Sequence, residues 1–165
     1  MSISGVSAAE IEKLILEKYA HISPANSWGE RAFFVNPNSF LPRGTYFATI
    51  KSKDGDNDRA SRLHRPGVFR LNIGLPRAEF AKLFPVPFRR PAKGGTVSGN
   101  YDFSRRNAVL PHPVYGRMNW IAVLNLDLRL WKKCAPLLDA AYQKSFANVR
   151  RRMRGAGDSR DIMHK

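Results

Sequence analysis

Apolar positions at helical spacing mark the start of the chain. Ser7 and Glu10 have the spacing of a capping box, and apolar residues recur at helical intervals over 11–19. Pro24 disfavours helical backbone in the residue before it. The pattern therefore predicts a first helix that begins after Ser7 and ends near His21.

Strand-like segments follow, rich in aromatic and β-branched residues. "ERAFFVNP" and "GTYFATIKSK" are separated by the turn-forming "NPNSFLPRG", which predicts an antiparallel hairpin with a long loop. "VFRLNIG" alternates like a half-buried strand, with Val68, Leu71 and Ile73 or their neighbours facing a core, and "MNWIAVLNL" predicts one more strand.

Two further helices are indicated. Pro76 can open a short helix over "RAEFAKLF". The segment from Leu128 to Arg154 has apolar positions at the spacing of an amphipathic helix, but Pro136 should kink or restart it because proline lacks the amide hydrogen of a helix donor. After Gly155 the chain is expected to be disordered.

The order of these elements predicts the fold class. Strands joined by hairpins, with helices at the two ends, favour an α+β domain: an antiparallel sheet with the N-terminal and C-terminal helices packed on one face. We expect one domain over residues 1–153, with a proline- and glycine-rich flap at 85–107, and a basic, disordered tail at 154–165. The segment 54–67 is polar and rich in turn formers, and is expected to be an exposed connection.

Composition narrows the class of protein. With 165 residues and 43% hydrophobic content, the chain can bury a core without disulfides. It has neither an apolar run long enough to span a membrane nor the pattern of a signal peptide, so we expect a cytoplasmic protein without membrane partners. The single cysteine, Cys134, is expected to be a buried small hydrophobe.

The formal net charge of +15 is the strongest bulk feature. Seven Lys or Arg residues and only two Asp residues lie in 144–165. Such a charge attracts polyanions at low salt through the release of counterions. It is compatible with nucleic-acid binding and also with a solvated basic surface.

The familiar catalytic and cofactor motifs are missing from the sequence. "DGDNDR" opens like a calcium loop, but Arg59 and Arg65 occupy the positions that require glycine and glutamate. His21, His64, His112 and His164 have no metal-binding helical spacing, no nucleophile elbow is present, and "KGGTVSGN" lacks the ending of a phosphate loop. The sequence therefore predicts no metal and no cofactor.

Two polar stretches remain as candidate chemistry. "DNDRASRLHRPGVFRLNIG" and "LPHPVYGRMNW" each place arginine, histidine and amide side chains at the mouth of a predicted strand. If the two strands are neighbours, both stretches border one cleft; otherwise the same groups tie down loops. The planar guanidinium group of arginine binds carboxylates and phosphates through two parallel hydrogen bonds, and aromatic rings stack on bases. The candidate ligand-binding residues are Arg62, His64, Arg65, Arg70, Asn72, His112, Tyr115, Arg117 and Asn119.

The same blocks carry a family resemblance. In order, "FATIKSKDGDNDRASRLHRPGVFRLNIG", "YDF", "LPHPVYGRMNWIAVLN" and "PLLDAAYQKSFANVRRR" resemble an uncharacterised bacterial family of domains of unknown function over roughly residues 8–153. The insert at 85–100 is longer than that family's pattern. More distantly, the chain is similar to the MmcQ/YjbR-like proteins. That similarity implies a CyaY-like two-layer α+β sandwich and nucleic-acid binding, and it supplies no catalytic residues.

These observations support three hypotheses for function. The first is a binding module for an anionic ligand, either nucleic acid or a phosphorylated or carboxylated small molecule. The second is a small-molecule enzyme with His64 or His112 as general base, which requires both histidines to point into one pocket. The third is an adaptor that binds a protein partner through the flap. The oligomeric state is left open.

Overall fold

The computed structural model describes the backbone of residues 5–163 and the side chains of residues 5–155. In chain order the elements are α1 (Ala8–Lys18), β1 (Ile22–Ser27), β2 (Glu30–Val35), β3 (Thr45–Lys51), β4 (Arg70–Gly74), α2 (Arg77–Leu83), β5 (Val109–Pro111), β6 (Trp120–Leu124) and α3 (Leu128–Met163). Two single 3-10 turns, Pro37–Ser39 and Gly116–Met118, lie in connections.

The strands form one open antiparallel sheet of six strands in the order β1-β2-β3-β4-β6-β5. Strand β6 lies between β4 and β5, so the chain crosses from β4 to the far edge of the sheet before it returns. The α+β class predicted from the element order is confirmed. None of the helices in the described part of the chain is both long and apolar enough to cross a bilayer.

One face of this sheet carries the hydrophobic core. Leu71 and Ile73 point from β4 toward the helices, and α1 and α3 lie on that face with Ile11, Ile15 and Leu138 fully or almost fully buried. Because side chains alternate along a strand, Arg70 and Asn72 point to the opposite face. The two terminal helices therefore cover one side of the sheet and leave the other to polar and aromatic groups.

The first helix begins where the sequence predicts. The capping box is present at the start of α1: the Ser7 hydroxyl accepts from the Glu10 amide, and the Glu10 carboxylate accepts from the Ser7 amide.

Cys134 is fully buried in the core, as expected for a small hydrophobe, and burial raises the pKa of its thiol to about 12.

Several details differ from the sequence-based expectations. The edge strands β1 and β5 were not predicted; Pro24 is tolerated in β1 because an edge strand does not need every amide. Trp28 and Gly29, both with positive φ, form the tight turn from β1 to β2. Helix α3 does not restart at Pro136, whose exposed position lets water solvate the carbonyl that loses its partner.

The two long connections are packed against the domain. The segment 85–107 has no regular helix or strand, but Val97 and Phe103 are buried and the Val97 amide donates to the Pro113 carbonyl at 2.8 Å. Segment 54–67 is not simply exposed, because Ser61 and Leu63 are buried. The backbone of α3 continues to Met163. The described part of the chain leaves out the side chains of residues 156–163 and the whole of residues 164–165, and His164 therefore lies outside it.

Candidate functional site

The face of the sheet opposite the helices holds a cavity of about 350 Å³. Strands β2, β3, β4 and β6, the segment 54–67 and the loop between β5 and β6 all contribute to it. Its lining consists of Trp28, Glu30, Tyr46, Thr49, Lys51, Asn57, Asp58, Asn72, His112, Val114, Tyr115, Met118 and Trp120. The volume is at the lower end of the range for small-molecule sites in proteins.

Aromatic side chains form the wall and rim of this cavity. The Tyr46 ring lies 5.3 Å from the Trp28 ring and 5.4 Å from the Trp120 ring, measured between centroids. Trp28 is 60% exposed and Tyr115 48% exposed, which is unusual for residues of this size. A contiguous group of exposed aromatic side chains around a concavity is typical of a binding surface.

Gly74 sets the position of the Trp120 ring. The two residues are cross-strand partners on β4 and β6. A Cβ atom built on Gly74 would lie 2.7 Å from Trp120 Cζ2 and 2.8 Å from Cε2, closer than van der Waals contact allows. Glycine at this position therefore lets the indole lie against the sheet and form the end of the cavity.

Polar side chains from β3 and β4 make the floor. Asn72 Nδ2 donates to Thr49 Oγ1 at 3.0 Å, and both residues are buried. Lys51 Nζ lies 3.7 Å from Glu30 Oε1, an ion pair too long for a hydrogen bond. Because these positions alternate with core-facing residues, β-strand periodicity alone places them on the cavity side.

Arg70 lies next to Asn72 on the same face of the sheet, where it is fully buried and several acceptors surround its guanidinium. Its Nε donates to Asn72 Oδ1, its Nη1 donates to Asp58 Oδ1 and Ser61 Oγ, and its Nη2 donates to Asp58 Oδ2. Burial alone would raise the pKa of Asp58, but the hydrogen bonds and charge of Arg70 outweigh it and keep that pKa below its usual value.

His112 closes the inner side of the cavity and is only 2% exposed. It precedes Pro113, which has no amide hydrogen, and its Nδ1 accepts from the next two amides, Val114 N at 3.1 Å and Tyr115 N at 2.9 Å. Its Nε2 lies 3.1 Å from Arg70 Nη2. Burial, followed by the nearby charge of Arg70, lowers the pKa of His112 well below its usual value, so the ring is neutral.

Comparison with known proteins identifies the family but not the activity. Residues 6–154 match the model of a family described as "Family of unknown function (DUF6194)". The chain belongs to the DUF6194 family. Neither the curated proteins nor the solved structures gave a match.

In this DUF6194 chain, four of the sequence-predicted site residues come together. Strands β4 and β6 are paired neighbours, which brings the two polar stretches onto one face of the sheet. Asn72, His112 and Tyr115 line the cavity, and the fully buried Arg70 contacts Asn72 and His112. Their role in binding a ligand stays a prediction.

The structure places the other five predicted residues away from the cavity lining. Arg65 is bonded to the backbone: its Nε donates to the Arg62 carbonyl, and its Nη2 donates to the Ser61 and Ser104 carbonyls, which ties segment 54–67 to the flap. Exposed Arg62 has a positive φ, and exposed Arg117 lies in the 3-10 turn. Asn119 ends that turn in a left-handed conformation, and its carbonyl accepts from the Leu75 amide.

The two candidate general bases do not meet. The His64 side chain is 64% exposed and its Nδ1 lies 3.2 Å from Asp54 Oδ2, whereas His112 is buried beside Arg70. The convergence of both histidines in one pocket, which the enzyme hypothesis required, is therefore wrong. No group of three or more His, Cys, Asp or Glu side chains within the described residues is arranged to hold a metal ion.

Sequence reasoning missed most of the cavity lining, of which it named only Asn72, His112 and Tyr115 as site residues. The sequence analysis places Tyr46, Thr49 and Lys51 in a hairpin without chemistry and gives Trp28 no role, and it does not separate Asp58 from the turn formers around it. The alternation of Thr49 and Lys51 with core residues in "GTYFATIKSK" was the available signal, since it marks a polar face.

Proposed function

We propose that this protein is a binding module for a small anionic molecule with a planar ring, and that the cavity on the open face of the sheet is its binding site. The observation that carries the proposal is the combination of exposed aromatic walls with a buried polar floor. An apolar wall with a few convergent polar groups is the usual composition of a ligand pocket.

The aromatic walls favour a planar ligand. Trp28, Tyr46 and Trp120 form a continuous set of ring contacts along one side of the cavity. Four of the large apolar side chains that are more than a third exposed (Trp28, Tyr46, Tyr115 and Met118) line this one concavity. A flat ring that covers them removes apolar area from water and stacks on the indole or phenol.

The floor favours a ligand rich in acceptors. The Thr49 hydroxyl accepts from Asn72, which leaves its own hydrogen available. The second hydrogen on Asn72 Nδ2 and the Lys51 ammonium also have no acceptor at hydrogen-bond distance in the described part of the chain. Carboxylate or phosphate oxygens satisfy several such donors at once.

Amide chemical-shift mapping on the full 15N-labelled chain tests the proposal. Benzoate, nicotinate and uridine 5′-monophosphate serve as probes, with a Kd on the order of 1 mM expected for such fragments. Perturbations should concentrate in β3, β6 and residues 112–119. Tyr46→Ala should weaken binding, while Leu83→Ala, a matched control because both side chains are 39% exposed, should not. Shifts confined to other surfaces, or unchanged binding by Tyr46→Ala, would refute it.

Nucleic-acid binding is a second candidate, and it rests on a different surface. Arg150, Arg151, Arg152 and Arg154 are exposed and lie close together along α3. We also propose the distant similarity to the MmcQ/YjbR-like proteins, which implies nucleic-acid binding and therefore agrees with this role. A labelled single-stranded DNA should bind at low salt, and a four-site Arg→Gln variant should reduce the salt slope by about 0.7 for each phosphate that it no longer neutralises. Equal binding and slope in that variant would exclude the helix as the site.

A further inference from the structure

The fully buried guanidinium of Arg70 contacts the imidazole of His112, which lines the cavity. An arginine side chain has five N–H groups and no acceptor. Four of those of Arg70 are directed at Asn72, Ser61 and the two oxygens of Asp58. The fifth, on Nη2, faces His112 Nε2 at 3.1 Å.

The protonation state of Nδ1 determines whether Nε2 of His112 is a hydrogen-bond donor or an acceptor. Backbone amides only donate, so the bonds from Val114 N and Tyr115 N require an unprotonated Nδ1. A neutral imidazole then carries its single proton on Nε2. That proton points at a guanidinium nitrogen that cannot accept it.

Neither alternative protonation state removes the conflict. A doubly protonated ring would set Nδ1–H against two amide N–H groups and would add a positive charge beside Arg70. A proton on Nδ1 alone would free Nε2 to accept from Arg70 but would place Nδ1–H against the same two amides. The state with the fewest opposed donors is the neutral Nε2–H tautomer.

We propose that His112 is fixed as a neutral Nε2–H donor and that it marks where an oxyanion of the ligand binds, so that the ligand is a planar acid whose ring lies against Tyr46 and Trp120. This inference rests on the proposed function, since it orients the ligand within the same cavity. An oxygen of a ligand in the cavity gives the His112 donor the acceptor that it lacks, because His112 lines the cavity whereas Arg70 is fully buried outside the lining. A buried donor without an acceptor is costly, which makes this end of the cavity selective for oxygen.

The surrounding groups fit an oxyanion better than an ammonium or an amide group. Lys51 and the unused hydrogens of Thr49 and Asn72 lie on the same floor. Both oxygens of Asp58 are already engaged by Arg70, which leaves Glu30 as the remaining carboxylate in the lining. A carboxylate and a phosphate share the required chemistry, and separate probes distinguish them.

The tautomer can be tested without any ligand. Long-range 1H–15N correlation spectra of the full chain report which imidazole nitrogen is protonated, and His112→Asn assigns the signals. We expect an unprotonated Nδ1 and a protonated Nε2 for His112 at pH 7. An imidazolium, or a proton on Nδ1, would overturn the assignment of His112 as a fixed Nε2–H donor.

Three probes of nearly identical shape test the position of the oxyanion. Benzoate, benzamide and benzamidine carry an anionic, a neutral and a cationic planar group on the same ring. We expect benzoate to bind most tightly and benzamidine most weakly. Phenyl phosphate in place of benzoate shows whether a carboxylate or a phosphate fits better, and either preference supports the proposal.

A matched pair of variants separates the two nitrogens of His112. In His112→Asn the amide oxygen can still accept from Val114 and Tyr115, but the donor at Nε2 is lost; His112→Gln restores an N–H near Nε2. We expect the affinity for benzoate to fall roughly 10- to 100-fold in His112→Asn and to recover in part in His112→Gln. Benzamide should lose less than benzoate.

The outcomes keep the two proposals apart. If no probe binds in the cavity, the proposed function fails, while the tautomer spectrum still decides the state of His112. If the probes bind there but benzamidine equals benzoate, or His112→Asn weakens all three equally, the cavity is a binding site and the placement of the oxyanion at His112 is wrong.

Discussion

Breaking the ion pair between Arg70 and Asp58 should be one of the most damaging polar changes in this protein. The Arg70 side chain is fully buried and that of Asp58 is 15% exposed. Arg70→Met leaves the carboxylate of Asp58 without its two-point partner, and Asn72 and Ser61 lose the donor that they accept from. Removing one partner of a buried pair costs about 3–5 kcal/mol.

Urea unfolding followed by tryptophan fluorescence measures this effect. With an m-value near the upper end for small proteins, the midpoint should fall by about 1–2 M. Asp58→Asn should produce a loss of similar size because it leaves the guanidinium uncompensated. Arg77→Met is the matched control: its exposed arginine makes no comparable contacts, so a change within about 0.5 kcal/mol is expected.

The double variant Arg70→Met/Asp58→Asn completes the cycle. Because the second substitution removes a charge that the first has already left unpaired, the combined loss should be smaller than the sum by at least about 1.5 kcal/mol. Single variants that each cost less than about 1 kcal/mol, or losses that simply add, would show that the pair is not the coupled buried unit described above.

Three further outcomes are expected. Gly74→Ala should displace the Trp120 indole, alter the tryptophan fluorescence emission and weaken probe binding. The control Gly155→Ala should have none of these effects, because open space surrounds that position. An unchanged emission spectrum in Gly74→Ala would contradict this role of Gly74. Because the pKa of His112 is lowered in the folded protein, the unfolded chain takes up a proton on this histidine first as the pH falls, so the stability that neutral His112 contributes is complete above about pH 6.5 and is lost below it. Between pH 6.5 and 5 the free energy of unfolding of the wild-type protein should therefore fall more than that of His112→Asn. The same fall in both proteins would refute this prediction. The raised pKa of Cys134 predicts that a thiol reagent at pH 8 labels the protein only after unfolding, and rapid labelling of the native protein would contradict its burial.

Local sequence patterns were sufficient for the elements that pack on the core. The capping box at Ser7 and the apolar spacing behind it locate α1, and the alternation around Leu71 and Ile73 locates β4. The edge strands β1 and β5 escaped because their pattern is weak: β1 contains Pro24 and has no buried residue, and β5 is only three residues long. Their formation depends on pairing with a neighbour, which is not encoded locally.

The candidate site was less accessible to the same reasoning. Alternation shows that Arg70 and Asn72 face away from the core, but it cannot distinguish a solvated face from a covered one. Segment 54–67 supplies the cover, because Asp58 and Ser61 fold back onto Arg70. The bonds of Arg65 to backbone carbonyls show the opposite outcome, a cationic residue in the same stretch that braces a loop.

The buried arginine supports the proposal that this face of the sheet binds a ligand. A buried ion pair adds little stability over apolar residues of similar volume, so stability alone does not account for Arg70. The helices already cover a complete apolar core on the other face, and a plain sheet could have exposed ordinary polar residues here. Instead the chain buries a cation, directs four of its N–H groups at its own acceptors, and leaves the fifth beside a histidine at the wall of a cavity. This arrangement supports the proposal that His112 presents a fixed donor to an oxyanion of the ligand, because a buried donor without an acceptor is costly in a protein that binds nothing there.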